Sequence, residues 1–130
     1  DIIKSRDFWM PFAPSVLADY SSDYFHKPKF AKACYMVMSF DSISNKRNSI
    51  FAAVHPQDGT ARPQEVYPDD NPEYESLLRK YQSISGDGAI LNTSFNLHGY
   101  PLVCSPDDAL KVFDESGLEY LAIGNFIVAK

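Results

Sequence analysis

Two cationic side chains, Lys4 and Arg6, lie two positions apart near the start of the chain. Residues 1–17 favour an extended backbone, because Pro11 and Pro14 disfavour a helix and the aromatic residues suit a pleated surface. In a strand, residues two apart point to the same side, so this pair would present two positive charges to an anion. The alternative interpretation is an edge strand that its charges protect from pairing with another chain.

A run of small polar residues follows an apolar strand in the segment 89–101. Asn92, Ser94 and Asn96 alternate along this run and would share one face of an extended backbone. Hydrogen-bonding groups at the end of a buried strand are typical of a ligand site at the carboxyl edge of a sheet. Gly99 would then allow a tight turn that brings backbone N–H groups to the ligand. The alternative is an Asn- and Ser-rich turn that satisfies only its own backbone, and both interpretations stay open on these residues alone.

A third candidate stretch covers residues 55–64, where Thr60, Arg62 and Gln64 share strand parity. An arginine there can hold a phosphate or carboxylate with two parallel hydrogen bonds, which a lysine cannot do. A plain hairpin tip with an Asp-Gly turn explains residues 56–59, but it does not explain the alternation that follows. His55 is predicted only to line such a site, because an isolated histidine is more often a packed or capping residue than a base.

Two helices are predicted around these stretches. The first begins at Asn71-Pro72, where the asparagine caps the helix and the proline needs no N–H partner, and it ends at Gly86. The second begins with a capping-box pattern between Ser105 and Asp108 and ends near residue 117. Their apolar stripes comprise Tyr74, Leu77, Leu78 and Tyr81 in the first helix and Ala109, Val112 and Phe113 in the second.

Strands are predicted between and after the helices. The segments 49–55 and 60–67 would pair as a hairpin around the turn at 56–59. The remaining predicted strands cover 34–40, 88–95, residues around 101–103, and 119–129. This order predicts an α/β fold with an open, twisted sheet of mixed direction and flanking helices.

Composition limits the range of functions. With 130 residues and 45% hydrophobic content, residues 1–130 are predicted to form one globular domain. The formal net charge of −5 makes nucleic acid an unlikely general partner. Cys34 and Cys104 lack the spacing of a zinc site, no metal-binding histidine pattern is present, and no apolar run reaches the length of a membrane span. We therefore expect a reduced, cytoplasmic protein without a membrane segment.

Taken together, the candidate stretches resemble the C-terminal region of NodU/CmcH-type O-carbamoyltransferases. The resembling segments are 3–17, 55–64, 91–99 and 121–125, in the same order along nearly the whole chain. That region is similar to YrdC-type domains, which hold nucleotide and carbamoyl groups with a K-x-R pair and an S-x-N pair. In this chain the pairs fall on Lys4/Arg6 and Ser94/Asn96, whereas His98 stands where the YrdC pattern has a serine.

The resemblance implies a reaction and its partners. Carbamoyl phosphate and ATP, with Mg²⁺, would yield carbamoyl-adenylate, and the carbamoyl group would pass to a hydroxyl acceptor in an N-terminal actin-like domain that carries its own metal ion. Lys4 and Arg6 would act as catalytic cations. The predicted binding residues are Lys4, Arg6, His55, Thr60, Arg62, Gln64, Asn92, Ser94 and Asn96. The implied fold is a YrdC-like domain without its first strands, as in a fragment of a longer enzyme.

Two other functions remain open on the sequence alone. The chain could be a non-catalytic nucleotide- or RNA-binding module, since the segment 26–32 is basic, or an interaction module of the same fold that has lost activity. Self-association into a homo-oligomer also stays open. The acceptor cannot be named from this chain.

Overall fold

The structure is a computed structural model that describes residues 10–130. The described chain forms two compact units, residues 10–93 and residues 94–130, which are treated separately below. The prediction of a single domain over residues 1–130 stays a prediction.

The unit of residues 10–93 is mixed α/β. Its strands are β1 (Ala13–Leu17), β2 (Phe25–His26), β3 (Phe40–Ser42), β4 (Thr60–Ala61), β5 (Gln64–Val66) and β6 (Ala89–Asn92). Its helices are α1 (Ser21–Tyr24) and α2 (Pro72–Ser85), with 3₁₀ helices at Ala18–Tyr20 and Arg47–Ala53.

A three-stranded sheet with the order β5-β1-β6 forms the centre of this unit. β1 runs parallel to β5, with Ser15 opposite Gln64, and antiparallel to β6, with Ala13 opposite Asn92. The predicted open sheet of mixed direction is therefore confirmed. Pro14 and Pro63, the residues that precede this parallel pairing on each strand, are both fully buried.

The two faces of this sheet pack against different partners. On one face, Leu17, Val66 and the partly buried Ile90 pack with Leu78 of α2. On the other face, Val16 and Ala89 belong to a larger apolar cluster that also contains Tyr24, Phe25, Ile50, Val54 and Ala61. Both faces of the central strand are thus covered, and all five residues of β1 are buried.

Several predicted strands are wrong in this unit. Residues 49–55 belong largely to the 3₁₀ helix Arg47–Ala53, and of the segment 34–40 only Phe40 lies in a strand. The predicted hairpin of 49–55 with 60–67 does not form, because β4 pairs with β3 and β5 pairs with β1. A short apolar run does not show which segment it will pair with. Here the strands pair with segments that are distant in the sequence, which the local pattern could not indicate.

The first predicted helix is confirmed with both of its ends. The Asn71 side chain accepts a hydrogen bond from the Tyr74 N–H, and Gly86 ends α2 in a left-handed conformation with φ 81°. The buried stripe is narrower than predicted, since Leu78 is 1% exposed but Leu77 is 58% exposed.

The unit of residues 94–130 contains α3 (Pro106–Glu115) and a hairpin of β7 (Tyr120–Ile123) and β8 (Phe126–Ala129). The capping box between Ser105 and Asp108 is present, and α3 buries Ala109, Val112 and Phe113 as predicted. The strand predicted around 101–103 is wrong, because these residues form a loop without regular structure. Among residues 10–130, no helix combines the length and the apolar character that crossing a bilayer requires.

Candidate functional site

Three polar side chains meet at one end of the β5-β1-β6 sheet, and we call Ser15, Gln64 and Asn92 the sheet-end cluster. Gln64 Oε1 accepts hydrogen bonds from Ser15 Oγ at 2.8 Å and from Asn92 Nδ2 at 2.7 Å. The strand register explains this meeting, because Ser15 faces Gln64 and residues 13 and 15 share a face of β1 with Asn92. The structure thus brings together two predicted site residues, Gln64 and Asn92, and adds Ser15, which the sequence did not reveal.

The hydrogen bonds in the sheet-end cluster fix the orientation of the two amides. With Gln64 Oε1 occupied twice and Asn92 Nδ2 donating, no hydrogen bond among residues 10–130 uses Gln64 Nε2 or Asn92 Oδ1. The Asn92 Nδ2 group also lies 3.6 Å from the Met36 sulfur, and Met36 has a positive φ of 56°. The cluster therefore keeps one amide donor, Gln64 Nε2, and one amide acceptor, Asn92 Oδ1, without a partner among residues 10–130.

A buried ion pair lies beside this cluster on the opposite face of β5. Glu65 Oε1 is 2.8 Å from Lys27 Nζ, and the two side chains are 0% and 11% exposed. Glu65 Oε2 accepts from the Ala33 N–H at 2.8 Å and from the Tyr67 hydroxyl at 3.0 Å. Glu65 was not predicted as a site residue. Strand alternation puts it on the face away from Gln64, but no sequence signal identifies its partners.

The carboxylate of Glu65 stays ionised despite its burial. Burial by itself would raise its pKa, but hydrogen bonds from Lys27, Ser21, the Ala33 amide and Tyr67 outweigh this and hold the pKa below its ordinary value. Burial of Tyr67, together with its hydrogen bond to Glu65 and the Glu65 charge, raises the pKa of Tyr67 to about 12. The contacts fasten the segment around Lys27 and Ala33 to β5, next to Gln64.

The segment 55–60 forms a tight, internally bonded turn that leads into β4. Asp58 Oδ1 accepts from the Thr60 N–H at 2.9 Å and from its hydroxyl at 2.8 Å, and lies 3.3 Å from His55 Nδ1. The Thr60 backbone N–H, followed by its hydroxyl, holds the pKa of Asp58 below its ordinary value. Gly59 has a positive φ of 73°, which strains any residue with a side chain, and an added Cβ would also meet Arg47 Nη2 at 2.7 Å.

The common face predicted for Thr60, Arg62 and Gln64 is wrong. Thr60 lies in β4 and Gln64 in β5, which belong to different sheets, and the buried Pro63 interrupts the strand between them. Arg62 is exposed and has no hydrogen-bond or ion-pair partner within the part of the chain that the structure describes. Its guanidinium is therefore available to an anion, while the binding roles of these residues stay predictions.

In the unit of residues 94–130, Ser94 and Asn96 contact each other. Ser94 Oγ donates to Asn96 Oδ1 at 2.6 Å, and Asn96 Nδ2 donates to the carbonyls of Leu97 at 3.1 Å and Tyr100 at 2.6 Å. These bonds agree with the alternative interpretation of a turn that satisfies its own backbone. A ligand role for this pair stays a prediction.

Lys4 and Arg6 lie outside the described residues, so their predicted place beside Ser94 and Asn96 stays a prediction. Within residues 10–130, no three side chains of the His, Cys, Asp and Glu types group so that they could hold a metal ion.

Comparison with known proteins places this chain in a family. Residues 1–130 match the family described as carbamoyltransferase C-terminus, and the chain belongs to it. The chain is 38% identical, over 98% of its length, to an uncharacterized protein of Methanocaldococcus jannaschii, of which it covers 20%. It is also 31% identical to the nodulation protein NolO of Bradyrhizobium diazoefficiens, with 99% of this chain and 24% of that protein covered.

A further relative carries an enzymatic name. The 3'-hydroxymethylcephem-O-carbamoyltransferase of Amycolatopsis lactamdurans is 28% identical over 95% of this chain and 23% of that protein. The chain thus spans about a quarter or less of the length of the curated relatives it matches. Membership of the family confirms the resemblance to carbamoyltransferases and connects the chain with carbamoyl transfer in general.

Proposed function

We propose that this chain binds carbamoyl phosphate and ATP, with Mg²⁺ on the nucleotide, and takes part in forming carbamoyl-adenylate. Carbamoyl phosphate is first hydrolysed to carbamate and inorganic phosphate. A carbamate oxygen then attacks the α-phosphorus of ATP, and pyrophosphate leaves. The carbamoyl group finally passes to a hydroxyl of an acceptor held by another domain of the enzyme, and AMP is released.

One observation carries this proposal: the sheet-end cluster joins three of the segments that resemble carbamoyltransferases. Ser15 belongs to the segment 3–17, Gln64 to 55–64 and Asn92 to 91–99. The unused Gln64 Nε2 and Asn92 Oδ1 form a donor and acceptor pair. A carbamoyl group has the matching pair, a carbonyl oxygen that accepts and an NH₂ that donates, so two hydrogen bonds can hold it in one plane.

The phosphate groups need cations rather than an acid and a base. Forming the adenylate gathers two polyanions and develops further charge on phosphoryl oxygens, so positioned positive charges and donors stabilise the transition state. The exposed and unpaired Arg62 suits this task, and we extend the same role to Lys4 and Arg6. Ser94 and Asn96 would supply neutral hydrogen bonds to the α-phosphate.

The length of the relatives supports a separate acceptor domain. Since the chain spans only 20% to 24% of the relatives described above, most of each relative lies outside the matched region. We propose that this other part holds the hydroxyl acceptor and its metal ion, and that residues 1–130 supply the activated carbamoyl group.

The alternative of an RNA-binding module has less support. It depended on the basic segment 26–32, but Lys27 there is paired with Glu65, and Lys32 lies 5.0 Å from the centre of the Tyr67 ring. Charges held in such contacts contribute less to phosphate binding.

The test is carbamoyl-phosphate-dependent exchange of pyrophosphate into ATP by the full-length protein. Gln64→Leu removes the proposed donor to the carbamoyl group, and Asn92→Leu removes the proposed acceptor. We expect each loss to cost about as much as the loss of one oxyanion-hole donor, about 2.7–4 kcal/mol, or a rate decrease of about 10²–10³. Gln57→Leu, at an exposed turn position, is the matched control and should exchange at the wild-type rate. Wild-type exchange in both cluster variants would refute the assignment of the cluster, and absence of exchange in the unmutated protein would refute the proposed reaction.

A further inference from the structure

Met36 has an unusual backbone conformation beside the sheet-end cluster. Among residues 10–130, it is the only residue other than glycine with a positive φ, which is 56°. A residue with a side chain is strained in this region, and such residues are concentrated at functional sites, where the surrounding structure holds them. The contacts of the Met36 side chain are therefore relevant to function.

The chain that leads to Met36 is attached to β5. The Ala33 N–H donates to Glu65 Oε2 at 2.8 Å, and the Glu65 N–H donates to the Ala33 carbonyl at 2.7 Å. Three residues after Ala33, the Met36 sulfur lies 3.6 Å from Asn92 Nδ2. The same Nδ2 group donates to Gln64 Oε1 at 2.7 Å, so the thioether contacts the cluster at one of its two amides.

The hydrogen bonds among Ser15, Gln64 and Asn92 can run in either of two senses. A hydroxyl group donates or accepts, and each amide carries both a donor and an acceptor. If both amides turned over together, Gln64 Nε2 would donate to Ser15 Oγ and to Asn92 Oδ1, and the same pairs of side chains would stay bonded. These three side chains therefore allow both senses.

The Met36 sulfur is compatible with only one of these senses. A thioether is a weak acceptor and has no proton to donate. It can therefore pair with Asn92 Nδ2, which lies 3.6 Å away, but not with Asn92 Oδ1. In the observed sense the atoms without a partner among residues 10–130 are Gln64 Nε2 and Asn92 Oδ1. In the reversed sense they would be Gln64 Oε1 and Asn92 Nδ2, so the donor and the acceptor would exchange places.

We propose that Met36 is a positioning residue that fixes the sense of the sheet-end cluster and thereby the orientation of the carbamoyl group. The inference rests on the proposed function, in which Gln64 Nε2 meets the carbamoyl oxygen and Asn92 Oδ1 meets the NH₂ group. A reversed cluster would bind the group in the opposite orientation with the same number of hydrogen bonds, but with nitrogen in the place of oxygen. Met36 therefore affects turnover more than binding.

The experiment measures kcat and KM separately for carbamoyl-phosphate-dependent exchange of pyrophosphate into ATP by the full-length protein. Met36→Lys replaces the acceptor with an ammonium group, which only donates and therefore pairs with Asn92 Oδ1. One hydrogen bond to a charged group then favours the reversed sense, so kcat should fall about 10- to 150-fold while the KM for carbamoyl phosphate does not rise. Met36→Gln has a similar length but offers a carbonyl acceptor, and it should keep the wild-type kcat.

Two further variants serve as controls. Met38→Lys makes the same change of charge at an exposed position two residues along the same loop, and it should leave kcat and KM unchanged. Met36→Leu neither donates nor accepts, and its kcat should lie between those of the Met36→Gln and Met36→Lys variants. Thermal unfolding of each variant shows whether its fold is intact.

The outcomes separate this inference from the proposed function. If the unmutated protein exchanges pyrophosphate and a folded Met36→Lys variant has the wild-type kcat, the sulfur does not set the orientation, and the proposed function stands. Equal decreases in kcat for Met36→Lys and Met36→Gln would also overturn the inference, because they would indicate a packing role. If Met36→Lys does not fold, equal kcat values for Met36→Leu and Met36→Gln would overturn it instead. If the unmutated protein exchanges no pyrophosphate, the proposed function fails, and the inference fails with it.

Discussion

Replacing Lys27 with methionine removes one partner of the buried ion pair and keeps a long apolar side chain in its place. The variant leaves Glu65, whose side chain is 0% exposed, without its only cation among the described residues. Breaking a buried pair in this way costs about 3–5 kcal/mol, because the remaining charge stays desolvated. The hydrogen bonds from the Ala33 amide and the Tyr67 hydroxyl persist, so we expect a loss near the lower end, about 3 kcal/mol.

Hydrogen exchange of the Ala33 amide in the full-length protein measures this loss locally. The Ala33 N–H donates to Glu65 Oε2 at 2.8 Å, so its protection reports whether the segment stays attached to β5. A loss of about 3 kcal/mol corresponds to a decrease in protection of about 100-fold or more. Lys29→Met, at an exposed position of the same segment, is the matched control and should change protection little.

The effect of Lys27→Met should depend on pH with a definite sign. Since the pKa of Glu65 is lowered in the folded state, its stabilising contribution is present above the ordinary value of 4.5 and is lost as the pH falls below it through the folded-state pKa. Without Lys27 the pKa of Glu65 rises, so the penalty of the substitution should be largest near neutral pH and should shrink under acidic conditions. The additional change Glu65→Gln should restore most of the protection at neutral pH.

Two results would refute this reasoning. If Lys27→Met reduces the protection of the Ala33 amide no more than Lys29→Met does, then Glu65 does not depend on this cation. If the penalty is the same at acidic and neutral pH, the loss reflects altered packing rather than an uncompensated carboxylate.

Three further changes test other parts of the structure. Arg62→Lys should raise the KM for carbamoyl phosphate about tenfold or more, because a charge-assisted hydrogen bond worth about 1.5–3 kcal/mol is lost although the charge remains; an unchanged KM in steady-state kinetics would contradict the phosphate role. Gly88→Ala should destabilise the protein by about 1–3 kcal/mol in thermal unfolding, because its Cβ would lie 2.8 Å from Tyr20 Cγ, and Tyr20→Leu in the same chain should relieve part of that loss. Ser105→Ala removes the cap of α3 and should lower the free energy of unfolding by about 1 kcal/mol, whereas no change would mean that the capping box adds nothing.

Local signals predicted the helices well and the strands poorly. The Asn71-Pro72 start of α2 and the Ser105 and Asp108 pair of α3 act over three or four residues, so they can be recognised in the sequence alone. The segment 49–55 has the apolar character of a strand but forms part of a 3₁₀ helix, because the neighbouring strands pair elsewhere. Strand pairing depends on contacts such as Ser15 with Gln64, which are 49 residues apart.

The candidate site was predicted only in part, because its formation also depends on strand pairing between segments distant in the sequence. Alternation along two separate predicted strands singled out Asn92 and Gln64, and the structure places their side chains in contact. It could not identify Ser15 or the pair of Lys27 with Glu65, because these depend on register and on a loop that crosses to another strand. Thr60 and Gln64 were grouped wrongly, since Pro63 redirects the chain between two sheets.

Pro14 and Pro63 protect the pairing on which the sheet-end cluster depends. The Leu17 N–H donates to the Gly88 carbonyl. In an antiparallel pair such bonds recur at every second residue, so Pro14 occupies a position whose N–H would not bond to β6. Pro14 directly precedes Ser15 on one strand, and Pro63 directly precedes Gln64 on the other. The parallel ladder between β1 and β5 therefore cannot extend in that direction. A one-residue shift in the pairing of these strands would force a proline into the ladder. It would also turn Asn92 and the apolar residues of the shifted strand to the face opposite the one they now occupy. The two prolines therefore favour a single alignment of the three strands, the one that brings the sheet-end cluster together.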